Sequence, residues 1–501
     1  MFGSRFILTL SVFLGVWAPC WGQFTDGLNV EFGKNRVQYR TFEWQYFESG
    51  MFEVYHYKEG DQVAGQVARV LSSEAQAIQP LFGKPLEGPI QVLVFKSQEE
   101  FRQSNAGVMA ADDQESNIGG TAKLIGSKMF LYATGDRLRL EQDIREGLAR
   151  IFFNQAMYES QWREAMRSGT LIQVPEWMSE GLARYAARGM DAESLAYILD
   201  ACQTQRFGQL DQSYGKEAAI LGQALWAYVV DVYGLPTVSD ILYMTRISRN
   251  MEDGFRLGTG LFLDQLAQEA RNHHLRLARG GYSDVLPAFP DKRAIRKARR
   301  SVNDQLDWRL KRRFEYTQLL ASPDGQTLAF ATNERGQRRI GTLDLASGKT
   351  TYHQVIGHRL DRLGNDLAPR LAWRNDGRML AFSYDLRGAP WLGLVDMVTQ
   401  EVVTRELFKV DQVLGMTFAP NGRDMVFSAL EDGQSDLYLY SVVGNYQTPL
   451  WRDRFDDLDP VYWKEGNRLI FASNRPDATL RNDRLDTPYP CLLYTSPSPR
   501  D

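Results

Sequence analysis

The sequence predicts a multidomain protein: an α+β domain, with a mixed sheet followed by a helical half, and then an incomplete all-β propeller. At 501 residues the chain is far longer than the ~150 residues of one typical domain. Strand patterns occur up to about residue 132, and helical spacing then dominates to about residue 280. From residue 316 a turn followed by an apolar strand recurs at the spacing of propeller blades.

The composition is that of a folded protein, with 44% hydrophobic and 24% charged residues. The formal net charge of -4 is spread over the whole chain and creates no strong field of one sign. We therefore expect no nucleic-acid partner, because nucleic-acid binders carry clustered positive charge. Cys20 and Cys491 lie near the two termini, which leaves Cys202 without a partner for an internal disulfide.

The first 22 residues are predicted to be a secretory signal peptide. Arg5 precedes an apolar run from Phe6 to Trp17, and the small residues Cys20 and Gly22 fit the end of a cleavage site. A short buried helix and a lipoprotein anchor at Cys20 are the alternatives. No later stretch has the ~20 apolar residues that cross a bilayer, so no transmembrane segment is expected in the mature chain. The prediction is an exported protein that is periplasmic or associated with the outer membrane.

The α+β domain is predicted over residues 23–285. Runs rich in β-branched and aromatic residues predict strands at 51–57, 90–95 and 128–132. Helical spacing of apolar residues occurs from Asp61 to Leu81 and again from about Asp136. The apolar stripe of the second helix consists of Leu140, Ile144, Leu148, Ile151 and Phe152.

Four repeated blocks between residues 316 and 490 predict a truncated β-propeller. Their turn glycines Gly325, Gly377, Gly422 and Gly466 lie 52, 45 and 44 residues apart. A four-stranded blade takes ~40–50 residues, and a turn glycine supplies the positive φ that a hairpin needs. About four blades are therefore expected. Four are too few for a common closed ring, so we expect further blades in the intact gene.

Two other segments stand outside these domains. Residues 286–315 form a basic linker in which acidic residues are interspersed, and the alternative is a site for an anionic surface or lipid. Residues 491–501 (CLLYTSPSPRD) resemble the translated adapter read-through that ends metagenomic gene fragments. We expect a non-native tail there, with a natural disordered end as the alternative.

The turn-and-strand blocks SPDG-LAFAT, RNDG-LAFSY and APNG-MVFSA resemble the propeller repeats of TolB and of the noncatalytic domain of dipeptidyl-peptidase IV, with the turns at 322–325, 374–377 and 419–422. The resemblance covers about residues 316–490. It implies a β-propeller and, as one functional possibility, a TolB-like periplasmic transport accessory.

Two motifs resemble the active-site signature of gluzincin-type metallopeptidases. IREGLAR at 144–150 resembles the HExxH helix, and VPEWMSEGLARY at 174–185 resembles the later helix that donates a glutamate. The segments at 214–234 and 254–266 resemble the downstream helices of peptidase MA-like domains. The resemblance spans about residues 50–280 and implies a zincin-like fold.

The departures from that signature remove the zinc site. Arg145 stands at the first histidine position and Ala149 at the second, while Glu146 matches the general base and Glu180 the third ligand. Catalytic zinc needs about three protein ligands, and a guanidinium and a methyl group supply none. We expect no catalytic residue, no metal and no other cofactor. The five histidines of the chain lie elsewhere and offer no replacement pair at i, i+4.

An ion pair between Arg145 and Glu180 is predicted to join the two helices in place of the metal. The alternative is that Arg145 and Glu146 pair along their own helix, with neighbours such as Glu141 or Arg150.

The function expected from these features is that of a noncatalytic pseudo-peptidase with a propeller, a binding or scaffolding component of the bacterial cell envelope. Its partners would be proteins or peptides, and Lys128–Tyr132 or a neighbouring strand could bind an extended chain by β-augmentation. An active hydrolase, with a nonstandard site or a site in a missing C-terminal part, is the alternative. The serine-nucleophile motif G-x-S-x-G does not occur in the sequence.

Overall fold

The structure is a computed structural model, and it is described over most of two regions of the chain. The predicted signal peptide and all but the last residue of the predicted linker lie outside the described residues. The described residues are 38–104, 122–125, 128–158, 174–203, 206–208, 210–282, 315–334, 336–357, 368–450, 452–463, 468–475 and 492–497. We call the part up to residue 282 the N-terminal unit and the part from residue 315 the repeat array.

A five-stranded mixed sheet opens the N-terminal unit, as predicted. Its strands are β1 (Trp44–Ser49), β2 (Phe52–Tyr57), β3 (Ile90–Phe95), β4 (Ala122–Ile125) and β5 (Lys128–Tyr132). The order across the sheet is β1-β2-β3-β5-β4. Strands β2, β3 and β5 run parallel, while β1 and β4 pair antiparallel at the two edges.

The helical half follows the sheet, also as predicted. The helices of the unit are α1 (Asp61–Phe82), α2 (Gln98–Arg102), α3 (Arg137–Tyr158), α4 (Glu176–Arg188), α5 (Ala192–Gln203), α6 (Gly215–Tyr233), α7 (Pro236–Ser248), α8 (Met251–Thr259) and α9 (Leu263–Tyr282). Among the described residues, no single helix is both long and apolar enough to cross a membrane. Helices α6 and α7 meet that criterion only as a pair, with a bend of 116° between them.

Helices α1 and α3 pack against one face of the sheet to form the main core. The predicted apolar stripe of α3 is buried at all five positions, Leu140, Ile144, Leu148, Ile151 and Phe152. The opposite face of the sheet carries a second, aromatic cluster that includes Phe95, Phe101 and Tyr132. Burial on both faces explains why β3 and β5 are continuous apolar runs rather than alternating patterns.

Helices α4 and α6 approach each other closely because glycines face each other at their contact. A Cβ atom added to Gly222 would lie 1.8 Å from the carbonyl oxygen of Trp177. One added to Gly181 would lie 2.5 Å from the backbone of Gly222. The indole Nε1 of Trp226 donates to the Met178 carbonyl at 2.9 Å and fixes the same pair of helices. Gly181 of the EGLARY motif is therefore required by packing.

The repeat array consists of four consecutive antiparallel sheets, in agreement with the predicted number of blades. The first blade contains β6 (Glu315–Ala321), β7 (Thr327–Glu334), β8 (Gln337–Asp344) and β9 (Thr350–Ile356). The second contains β10 (Arg370–Trp373), β11 (Met379–Leu386), β12 (Ala389–Asp396) and β13 (Val402–Glu406). The third contains β14 (Gln412–Phe418), β15 (Asp424–Glu431), β16 (Gln434–Ser441) and β17 (Tyr446–Pro449). The fourth contains β18 (Asp457–Tyr462), β19 (Arg468–Ser473) and β20 (Leu492–Pro497).

The turn glycines have the predicted backbone conformation wherever the structure describes them. Gly325, Gly377 and Gly422 have φ values of 69°, 68° and 65°. Gly466 lies outside the described residues. The four sheets form an open array, since the described strands do not close a ring.

One phenylalanine per blade packs each sheet against the blade before it. Phe382 of the second blade packs with Ala331 and Ile340 of the first. Phe427 and Phe471 make the equivalent contacts from the third and fourth blades. These residues occupy equivalent positions in the repeat, so the same type of side chain contributes to every blade interface between the described sheets.

The segment predicted to be a non-native tail contains a strand. Leu492–Pro497 forms β20 and pairs antiparallel with β19 along its whole length. The physical reason is that the edge of β19 offers unpaired backbone groups, which any extended segment can satisfy. The non-native origin of these residues stays a prediction.

The helix contact at Gly222 generates the first prediction. Gly222→Ala should destabilise the protein by about 1–3 kcal/mol or more, because α4 and α6 must separate to admit the methyl group. Gly65→Ala on α1 is the matched control, since an added Cβ there meets nothing within 4 Å. It should instead stabilise by about 0.5–1 kcal/mol, the helix-propensity gain of alanine over glycine. Urea unfolding of the two variants measures both effects, and equal losses would contradict the packing argument.

Candidate functional site

The candidate site lies where α3 and α4 pack together, at the two motifs that resemble the peptidase signature. Arg145, Glu146 and Ala149 belong to α3, and Glu180 belongs to α4. Ala149 is fully buried in the main core. The other three side chains make ion pairs, but Arg145 and Glu180 do not pair with each other.

Arg145 does not contact Glu180, so the predicted ion pair is wrong. Its guanidinium pairs with Glu74 of α1, and its Nη1 donates to the Ala187 carbonyl at 3.1 Å. The reason is the direction of the side chain on the helix. Five residues turn through about 140° along an α-helix, so positions 145 and 150 face different neighbours. Position 145 faces α1, and position 150 faces Glu180.

Arg150 joins the two motif glutamates, Glu146 of α3 and Glu180 of α4. Its Nη2 donates to Glu146 Oε1 at 2.5 Å and to Glu180 Oε2 at 2.7 Å, and its Nε donates to the same Glu180 oxygen at 2.9 Å. Burial alone would lower the pKa of the Arg150 guanidinium. The negative charges of Glu180 and Glu146 have the larger effect and raise that pKa. The alternative that Glu146 pairs along its own helix with Arg150 is therefore confirmed. We call these three residues the arginine bridge.

Glu146 lies among arginines. Burial would raise the pKa of its carboxyl, but the charges of Arg150, Arg188 and Arg184 outweigh burial and lower it. The nearest approach of Arg188 is 3.9 Å, from its Nη2 to Glu146 Oε2. A carboxylate with a lowered pKa is a weak proton acceptor. Glu146 is thus held as a charged partner of arginines, with little of the basicity that its counterpart needs in a peptidase.

The positions of the signature do not fit zinc. A guanidinium stands at the first ligand position and turns toward α1, while a buried methyl group stands at the second. The two retained carboxylates both accept hydrogen bonds from Arg150. A cation there would have to displace a guanidinium that is held by three hydrogen bonds, and it would find no imidazole among the signature positions.

The motifs predict roles for Arg145 and, as an alternative partner, for Arg150, but they do not identify Arg184 and Arg188 of the same network. A signal for them exists. The pentapeptide EGLAR occurs twice, at 146–150 and at 180–184, so each glutamate is followed at i+4 by an arginine. That spacing places the two side chains on one helical face. Arg188 continues the series on α4, and its Nη2 lies 4.0 Å from Asp143 Oδ1.

Among its described residues, the repeat array contains one acidic cluster whose geometry could hold a cation. Carboxylate oxygens of Asp436, Asp453 and Asp457 all lie within 4.8 Å of one another. Arg475 supplies positive charge to this cluster, since its Nη2 lies 2.9 Å from Asp453 Oδ2 and 2.9 Å from Asp457 Oδ2. The cluster is therefore an arginine-centred ion-pair network at the junction of the third and fourth blades.

Comparison with known proteins bears on the repeat array. No protein-family model matches the chain. The protein TolB homolog of Chlorobium chlorochromatii (strain CaD3) is 36% identical over 107 residues, which are 21% of this chain and 22% of the relative. The chain thus spans less than a quarter of the length of that curated relative. This similarity supports TolB-like β-propeller homology.

Two solved structures are also similar to part of the chain. TolB from Acinetobacter baumannii is 17% identical with a TM-score of 0.26, over 32% of this chain and 39% of its own. A protein assigned as TolB from Agrobacterium tumefaciens is 18% identical with a TM-score of 0.28, over 36% of this chain and 60% of its own. None of these three proteins bears on the gluzincin-type resemblance, which stays a prediction.

The arginine bridge can be tested with double-mutant cycles. The cycle of Arg150→Met with Glu180→Gln should give a coupling energy of about 1 kcal/mol or more, because the two side chains share two hydrogen bonds. The control cycle of Arg145→Met with Glu180→Gln should give less than about 0.5 kcal/mol, the value for residues without contact. Denaturant unfolding of the single and double variants measures both. Stronger coupling in the control cycle would restore the ion pair predicted from the sequence.

Asp436 generates a prediction about pH. Burial, with Asp457 and Asp453 nearby, raises the pKa of its carboxyl to about 8, although a hydrogen bond from the Asp453 backbone opposes the shift. Between about pH 4 and pH 8, the folded protein therefore keeps a proton on Asp436 that the unfolded chain has already released. Stability should fall as the pH rises through that window, by up to about 1.4 kcal/mol per pH unit.

The control for this effect is Asp436→Asn, which removes the titrating group and keeps its shape. Unfolding free energies of the two proteins, measured from pH 5 to pH 9, should diverge in slope. Parallel curves would show that Asp436 does not carry the proton.

Proposed function

We propose that the N-terminal unit is a degenerate, zincin-like peptidase domain without catalysis, and that with the TolB-like repeat array it binds or scaffolds proteins of the bacterial cell envelope. The observation that carries the proposal is the arginine bridge. In a gluzincin-type peptidase, a metal joins the helix of the HExxH motif to the helix of the third ligand. In this chain Arg150 makes that connection between α3 and α4, with hydrogen bonds of 2.5 Å, 2.7 Å and 2.9 Å.

The charge balance of the bridge favours a structural role. Two carboxylates and one guanidinium leave one negative charge, which Arg188 and Arg184 offset from α4. The Glu146 side chain is 18% exposed and that of Glu180 is 37% exposed, so loss of Arg150 would leave the largely buried Glu146 carboxylate without its closest partner. A site of this kind holds two helices in place and has no open coordination position for a substrate or water.

A peptide would bind at the edge of the mixed sheet. Lys128–Tyr132, one of the two predicted positions, is β5, which lies between β3 and β4 and has both of its sides paired. The neighbouring strand β4 is the outer strand of the sheet. Among the described residues β4 pairs only with β5, so its other side offers backbone groups to an extended chain.

The TolB-like similarity supports a protein-binding or transport-accessory role in the periplasm. It comes from a relative of which the chain covers 22%, so the role and the exported location belong to the proposal. The predicted signal peptide at residues 1–22 agrees with export. Propellers present several loops on one face, and this geometry suits the binding of a protein partner.

Metal content and peptide turnover separate this proposal from an active hydrolase. Purified protein should hold no stoichiometric zinc by elemental analysis, because the signature positions supply no imidazole. Any background turnover of unstructured peptides should be unchanged by a chelator and by Glu146→Gln. One zinc per chain, together with proteolysis that both the chelator and Glu146→Gln abolish, would overturn the proposal in favour of a metallopeptidase.

Site-specific photocrosslinking in the envelope addresses the binding function directly. A photoreactive residue at position 123 of β4 should give a discrete protein adduct. The control position is Val443, which is exposed in the turn between β16 and β17 and lies in the repeat array. An adduct at 123 that an excess of extended peptide removes would support β-augmentation, whereas equal labelling at both positions would argue against a defined site at β4.

A further inference from the structure

The third blade reaches the N-terminal unit at the start of α3. Its β15–β16 turn packs so closely that a Cβ added to Gly433 would lie 2.0 Å from Val63 Cγ2 of α1. From the other side, a Cβ added to Gly135 would lie 2.3 Å from Leu414 Cδ1 of β14. Both glycines have positive φ, 82° and 77°, so conformation and space both require glycine at these positions.

Apolar contacts continue across this junction. Leu414 and Leu430 of the third blade are buried in the same cluster as the core of the N-terminal unit. Lys96, which follows β3, is also buried there and lies 3.0 Å from Asp411 of the array and 3.1 Å from Glu59. A buried lysine between carboxylates of the two regions would be costly to expose or to leave unpaired.

Asp456, which precedes β18, binds the first turn of α3. Its Oδ2 accepts a hydrogen bond from the backbone N–H of Arg137 at 2.7 Å. Asn474 Nδ2 donates to the same oxygen at 3.0 Å, and Gln434 Nε2 donates to Oδ1 at 3.2 Å. These contacts hold the carboxylate in a buried position, with 6% of the residue exposed. Ser435 Oγ adds a hydrogen bond to the Gly135 carbonyl.

The start of α3 therefore has two carboxylate caps. Asp136 accepts from the Arg139 N–H at 3.2 Å, as an ordinary N-cap residue does. Asp456 takes the Arg137 N–H from a position 319 residues away in the sequence. The first N–H groups of a helix have no partner within the helix, so each cap satisfies a different donor.

We infer that the third and fourth blades act as a clamp on helix α3, with Asp456 completing its N-terminal cap and the β15–β16 turn fixing its position against α1. Helix α3 also carries Glu146 and Arg150. A partner that displaces the third blade would then loosen the first turn of this helix. By reciprocity, a partner that binds the N-terminal unit and shifts α3 would change the contacts of the third and fourth blades. The inference is independent of the proposed pseudo-peptidase function, because the contacts would hold the helix in an active enzyme as well.

Hydrogen exchange of the full chain, followed by mass spectrometry, tests the clamp. In Asp456→Ala, amides of residues 137–140 should exchange about 10-fold faster or more, the factor expected when a hydrogen bond to a charged group is lost. Amides of α6, which does not contact the clamp, should keep their rates. Asp376→Ala is the matched control, since it removes a turn carboxylate of the second blade that contacts Arg374 and Arg378.

Two milder variants keep the test decisive if Asp456→Ala folds poorly. Asp456→Asn retains an acceptor oxygen, so exchange in residues 137–140 should rise less than in the alanine variant. Ser435→Ala removes only the hydrogen bond to Gly135 and should accelerate the same peptide modestly. Unchanged exchange at the start of α3 in the Asp456 variants would overturn the inference. Equal acceleration in α3 and α6 would overturn it too, because it would show general destabilisation instead of a local clamp.

Discussion

The compensation of buried charge between α3 and α4 is the constraint on which the N-terminal unit depends. Glu146 is largely buried, and a carboxylate in that position must be paired or neutralised. Arg150 pairs it and at the same time reaches Glu180 on the next helix. One guanidinium thus compensates the charge of Glu146 within α3 and joins α3 to α4, whose other side packs on α6 through glycines.

In the proposed origin from a metallopeptidase, the metal site is lost while the two helices that held it stay joined. Zinc joins helices through directional bonds to several side chains, whereas an arginine offers five N–H donors in a fixed plane. The plane of Arg150 meets two carboxylates that would otherwise repel each other. In the proposed evolutionary origin, Glu146 and Glu180 change from metal-site residues to ion-pair partners of Arg150. The packing of α4 on α6 through Gly181 and Gly222 does not depend on this change.

Local patterns in the sequence predicted much of the fold. The stripe from Leu140 to Phe152 and the positive φ of Gly325, Gly377 and Gly422 depend on residues close in sequence, and both predictions are confirmed. The predicted Arg145–Glu180 pair failed because it requires the facing direction of a helix, which the motif alone does not define. The sequence left the edge strand open between Lys128–Tyr132 and a neighbour, since β4 has a short and weakly patterned sequence. Contacts such as Arg137 with Asp456 leave no local signal at all.

The separation of Arg137 and Asp456 has a consequence for biosynthesis. The ribosome adds Arg137 to the chain 319 residues before Asp456. At a synthesis rate of about 5–20 residues per second, this interval lasts roughly 16–64 s. During that time the helix start is satisfied by water and by Asp136 alone. Helix α3 can therefore acquire its second carboxylate cap only after the blades have been synthesised and have packed against the N-terminal unit.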